Sequence, residues 1–200
     1  TSSSAYGTEA AATGERSMAF GASAAANKQN TTAMGTFARA TGAYASSYGT
    51  NANADAVAAM AFGSGAKATA DTAISFGTNS SASGPNAVVM GTDGVASAED
   101  ATALGYGAQA TGTDAIAVGK SSVASESDSI AIGSDANASK AGAIALGDNA
   151  NAAYTNSVAI GIGATTNRAD QIKLGQSTTQ VTVANLANSS QSRNAIVTAN

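Results

Sequence analysis

The sequence predicts an all-β fold, a parallel β-roll solenoid wound in coils of 14 residues. Three observations predict it. Glycine recurs every 14 residues from Gly7 to Gly175, 13 times with no insertion. A two-residue alternation of bulky and small side chains precedes most of these glycines. A second, shorter alternation follows them. An unbroken short period is the mark of a solenoid, so it is read before any local propensity.

The period runs through Gly7, Gly21, Gly35 and onward to Gly147, Gly161 and Gly175, and positions are numbered here as offsets from these glycines. The residue at −1 is apolar in all 13 units, from Tyr6, Phe20 and Met34 to Leu146, Ile160 and Leu174. Position −3 is often branched or bulky, as in Met60, Ile74, Val88, Ile116, Ile130 and Ile144. Position −2 between them is small, usually Ala. Side chains that alternate with period two define a β-strand with two unlike faces.

After the glycine, +3 and +5 are mainly Ala, as in Ala66 and Ala68 or Ala136 and Ala138. The residue between, such as Arg39, Asn53, Lys67 or Gln109, is polar or long. That is a second short strand with one small apolar face and one wet face. A second glycine at +7 appears in Gly14, Gly42, Gly84 and Gly112. Glycine admits the positive φ of sharp bends. Two strands and two bends per unit make one flattened coil.

A helical reading of this Ala-rich chain fails. The bulky residues are two apart rather than three or four. A recurring glycine costs about 1 kcal/mol at each helix-interior site. The abundant Asn, Ser and Thr compete for backbone hydrogen bonds.

Leu, Ile, Val and Phe together make only 27 of 200 residues, and net charge is −4. A thick globular core is excluded, yet too little charge is present to hold the chain open. Backbone ordering costs about 1–2 kcal/mol per residue, and a thin Ala-lined roll offsets it poorly. Association is the remedy, which predicts a cyclic homo-oligomer. The expected arrangement has the bulky pair filling the roll against Ala at +3 and +5. The small column at −2, namely Ala103, Ala117, Ala131, Ala145 and Ala159, then faces the neighbouring subunit. The reverse arrangement is the alternative.

There is no Cys and no His. Disulfides, Cys or His metal ligation and His-based acid–base catalysis are excluded. No apolar run of about 20 residues is long enough for a membrane helix, and no signal-peptide pattern opens at Thr1. The chain therefore reads as a segment of something longer. Its mixed acidic charge is a poor footprint for nucleic acid.

The units Asp114-Ala-Ile-Ala-Val-Gly119, Ser129-Ile-Ala-Ile-Gly133 and Ala108-Gln-Ala-Thr-Gly112 resemble the head repeat of YadA-like trimeric autotransporter adhesins. That repeat is a bulky-Ala-Ile-Gly turn followed by Ala-x-Ala-x-Gly. Period, glycine phase and both alternations agree from about Ser4 to Gln180. The resemblance implies a left-handed parallel β-roll, trimeric about one axis, exposed beyond a Gram-negative outer membrane. It implies attachment to host matrix proteins, host cells or other surfaces, with no cofactor. Two departures qualify it. Aromatic and Met residues at −1 thicken the N-terminal half, and the pattern dissolves after Gly175. The expected division is a β-roll head over 1–180 and a terminal strand with a head-to-stalk transition over 181–200.

Candidate chemistry is sparse, and no enzymatic activity is expected. Carboxylates such as Glu9, Asp71, Asp93, Glu99, Asp100, Asp128 and Asp148 fall at varied offsets and read as solvated bend residues. Gly63–Gly65, Gly105–Gly107 and Gly161–Gly163 lack the strand–helix setting of a nucleotide site. The Gly-Gly-x-Gly-x-Asp rhythm of a calcium-binding roll is missing. Ligand-contact candidates are long or aromatic side chains at outward offsets: Phe37, Arg39, Tyr44, Lys67, Tyr106 and Tyr154. The bland reading of each is a scattered surface residue.

An adhesin head is the leading function class. A fibre segment of a phage tail or appendage shares stacked β architecture. An ice-binding solenoid needs regular Thr rows, and Asn27, Asp55, Ser83 and Ala153 interrupt the series Thr13, Thr41, Thr69 and Thr111. No metal, cofactor or nucleic-acid partner is expected.

Overall fold

The structure, a computed structural model, describes residues 2–180. Its strands form two parallel sheets, and every named strand belongs to one of them. The wide sheet has 13 strands of three residues each, from Ser4–Tyr6 to Ile172–Leu174. These are the strands expected at −3 to −1. The narrow sheet has 11 strands of two residues, from Ala11–Ala12 to Asn151–Ala152. These occupy +4 and +5. Consecutive strands along the chain alternate between the sheets, so each coil contributes one strand to each.

The register is the period made visible. Ile116, Ala117 and Val118 lie beside Ile130, Ala131 and Ile132, an offset of 14. Lys67 and Ala68 lie beside Ser81 and Ala82 at the same offset. Each side chain therefore sits over its equivalent one coil away, at about 4.8 Å per layer.

Two corners join the sheets. The first follows the periodic glycine, and the +3 amide closes it by donating to the glycine carbonyl, as Ala24 does to Gly21 at 3.2 Å. Its +2 residue has a positive φ, for example 56° at Asp93. The second corner spans +7 to +9 and ends on another left-handed residue, such as Asp114 at 58°. Asn, Asp, Ser and Gly dominate both positions because they tolerate that conformation best. The periodic glycine has a stricter cause. A β-carbon on Gly105, whose φ is +136°, would lie 2.5 Å from the Gly119 carbonyl oxygen of the next coil.

The interior reverses the expected orientation. Ala103, Ala117, Ala131, Ala145 and Ala159, expected to face a neighbouring subunit, are all fully buried inside their own roll. The bulky residues at −3 and −1 point outward. Four inward columns line the roll, at −4, −2, +3 and +5, and nearly all are Ala or Ser. The physical reason is width. With short corners the two sheets approach so closely that facing positions have room only for methyl-sized groups. The largest fully buried side chain, Val89, stands at −2 and faces Gly94 at +3.

Among the described residues every buried hydroxyl but that of Ser47 is hydrogen-bonded. Ser75 and Ser80 face each other across one coil at 2.7 Å, and Ser157 faces Thr166 at 3.0 Å. These contacts pair −2 with +3 and −4 with +5. Ser17, Thr31 and Ser157 also donate to carbonyls three residues earlier, each at 2.7 Å. Burying a hydroxyl costs little once it is bonded.

The regular coil ends where the sequence pattern dissolves. Lys173 takes the inward −2 position beside Ala159. The narrow sheet stops at Asn151–Ala152, continued only by an isolated bridge to Thr165. Thr179 and Gln180 are not in a strand. The terminal strand and head-to-stalk transition expected over 181–200 lie outside the described residues.

Candidate interaction surfaces

The wide sheet turns two columns outward: the −1 column is apolar along its whole length, and the −3 column is apolar except at Ser4, Thr32, Ser46 and Thr102. The −1 column begins with stacked aromatics. Tyr6 and Phe20 have ring centroids 5.1 Å apart. Tyr48, Phe62 and Phe76 form a three-ring stack with centroids 4.4 and 4.5 Å apart. Such offset pairs stabilise beyond the area they bury. From Leu104 onward the column is aliphatic. Of the 18 exposed large apolar side chains, 12 lie on this face, so the exposure is concentrated rather than scattered. Phe20 and Met90 are each 54% exposed and Ile132 is 38% exposed. Apolar hollows open toward its two ends. One, of about 230 Å³, is lined by Ser4, Tyr6, Met18, Ala19, Phe20 and Met34. The other, of about 420 Å³, is lined by residues including Ile160, Ile162 and Leu174.

The narrow sheet presents a different surface. Its outward +4 column runs Arg39, Asn53, Lys67, Ser81, with Arg39 and Lys67 each paired in register to Asn53. Both cations are exposed. Asp55 lies between them at +6, but its carboxylate oxygens accept from the Thr41 hydroxyl and the Asn53 amide, each at 2.7 Å. Among the described residues the one ion pair is Arg16 with Glu15. Among the same residues no group of three or more acidic side chains is placed to hold a metal ion.

The YadA head domain repeat matches this chain in ten segments that run from 1–25 to 155–170, overlapping from 54–80 onward. The chain belongs to the YadA head family. It is thus an adhesin-type head, built for binding. No curated protein matches it. Among solved structures it is similar to the collagen-binding domain of the Yersinia adhesin YadA, at 20% identity over 98% of this chain and 82% of that one, with a TM-score of 0.34. Membership rests on the repeat match.

The head places the six ligand-contact candidates on three separate surfaces. Arg39 and Lys67 share the outward column of the narrow sheet. Phe37 at +2 and Tyr106 at +1 lie on the first corner, five coils apart. Tyr44 and Tyr154 lie on the second corner, eight coils apart. Only Phe37, Arg39 and Tyr44 fall within one coil, with Lys67 two coils further on. Phe37 and Tyr44 are left-handed, with φ of 58° and 63°, and are 54% and 55% exposed. Their amides donate to the Ala22 and Gln29 carbonyls of the preceding coil at 2.9 Å, which fixes the backbone. Sequence reasoning missed the fourth inward column at −4. Its signal was present, since −4 is Ala, Ser or Thr from Ser17 to Ser157.

Proposed function

We propose that this head works as a homotrimer on the surface of a Gram-negative cell, with the wide sheets facing a common axis and the narrow sheets facing outward. The observation that carries it is the −1 column, apolar along the whole wide sheet, flanked by a −3 column that is apolar from Ile116 to Ile172. Soluble monomers rarely expose so continuous an apolar strip, and an interface between like copies is the arrangement that removes it from water. The contacts at the axis are then the bulky side chains at −3 and −1, such as Ile130 and Ile132. The number three comes from the family.

In this arrangement each narrow face and its corners are presented three times, toward host matrix proteins, host cells or other surfaces. Attachment is non-enzymatic and multivalent, with weak single contacts multiplied by avidity. Light scattering on the purified head tests the assembly, with the mass of three chains expected and the mass of one chain contradicting it. Capture of collagen, fibronectin, laminin or whole cells tests attachment. Binding to none of these removes the adhesive reading.

A further inference from the structure

We propose that the narrow-sheet face between Phe37 and Lys67 binds an anionic polysaccharide laid along the rod. The inference rests on the adhesive reading above and names the class of ligand for that face.

The first argument is charge. The chain is acidic overall, at −4, yet Arg39 and Lys67 stand on the outward column with no ion-pair partner among the described residues. Both neighbouring carboxylates are already engaged. Asp55 is held by Thr41 and Asn53. Asp71 accepts the Val57 amide at 3.0 Å. Both carboxylates keep their negative charge, but neither pairs with Arg39 or Lys67, whose N–H donors stay open to an external anion. They are two layers apart, roughly 10 Å along the rod. A uronate polysaccharide carries one carboxylate per disaccharide, a spacing of the same order.

The second argument is the pair of aromatics flanking that column. Phe37 and Tyr44 occupy left-handed positions that other coils give mostly to Asn, Asp, Ser, Thr or Gly. Every coil imposes that conformation at its corners, and a bulky aromatic suits it less well than Asn or Gly. Both rings are more than half exposed, and neither stacks on another ring. They stand on opposite corners of one coil, with Arg39 between them. Val57, 48% exposed, lies at Tyr44's corner one coil on. Aromatic faces suit the C–H faces of sugar rings. The ladder of two-residue strands forms a track, which suits an extended polymer.

The test is binding of the whole chain to immobilised heparin, hyaluronate and neutral dextran at low and high salt. Binding to heparin or hyaluronate but not dextran, weakened by salt, is expected. The double variant R39Q/K67Q should bind about tenfold more weakly. F37N/Y44N should also weaken binding while remaining folded, since Asn already serves at the equivalent Asn51, Asn79, Asn30 and Asn86. The control K120Q/K140Q, with both lysines on corners of distant coils, should bind like the parent. Absence of polysaccharide binding, or equal loss in the control, overturns the proposal. Capture of matrix proteins or cells without polysaccharide binding overturns it too and leaves the adhesive reading intact. Failure to bind either kind of ligand removes both.

Discussion

A β-carbon placed on Gly94 would lie 2.7 Å from Val89 Cγ1, so one oversized side chain and one missing side chain occupy the same slot inside the roll. The equivalent positions one coil on are Ala103 and Ala108, both fully buried. Two medium residues there do what one large and one absent residue do at 89 and 94. The interior is thus held to nearly constant volume per coil. Gly94→Ala should destabilise by about 1–3 kcal/mol through overpacking. Val89→Ala should cost about 1 kcal/mol or more through a small cavity. The double variant should recover most of the loss, and a urea-melt double-mutant cycle reads the coupling. Strict additivity would show that the two sites do not compete for space.

Ser47 provides the opposite case. Its hydroxyl is buried and finds no partner, whereas Ser75 at the equivalent position two coils on bonds Ser80. An unsatisfied buried hydroxyl costs about 1–3 kcal/mol. Ser47→Ala is expected to raise stability by about 1 kcal/mol, measured as an increase in Tm. Ser75→Ala should give no such gain. A lower Tm for Ser47→Ala would mean that its hydroxyl has a partner in solution.

The inverted faces separate folding from assembly. Ala131 is fully buried in the roll, and Ile132 beside it points outward. Ala131→Arg buries an unpaired charge and should cost more than about 4 kcal/mol, unfolding the roll. Ile132→Arg should leave the β-roll intact by circular dichroism while light scattering reports dissociation. Ile132→Arg protein with the parent's oligomeric mass would place the interface elsewhere.

Gly105 reports on the stacking of coils. A β-carbon there meets the Gly119 carbonyl oxygen at 2.5 Å, in a backbone conformation that L-residues avoid. Gly105→Ala should loosen the stack between the coils of Gly105 and Gly119. The expected result is a loss of about 2 kcal/mol or more and a new proteolytic site near that coil. Unchanged stability and cleavage would show that the spacing between coils is elastic.

Much of the architecture was legible because a 14-residue period leaves few alternatives. The strands at −3 to −1 and at +4 to +5, the corner after each glycine and the parallel in-register pairing all follow from residues at fixed offsets. The candidate surfaces were legible only as separate residues. That Arg39 and Lys67 form one column follows from their shared offset. That Phe37 and Tyr44 stand on opposite corners follows from the two bends. That Asp55 and Asp71 are engaged elsewhere depends on side-chain geometry between coils, which no spacing reports.

By itself, then, the sequence determined the coil, its length, its repeat number and the existence of two unlike faces on each strand. Only the tertiary structure decided which face is inside. Alternation says that Ile130 and Ile132 point one way and Ala131 the other, and it is silent on which way is inward. The answer lies in the gap between two sheets joined by short corners. That gap admits Ala, demands Gly94 opposite Val89, and leaves the isoleucines nowhere to go but out.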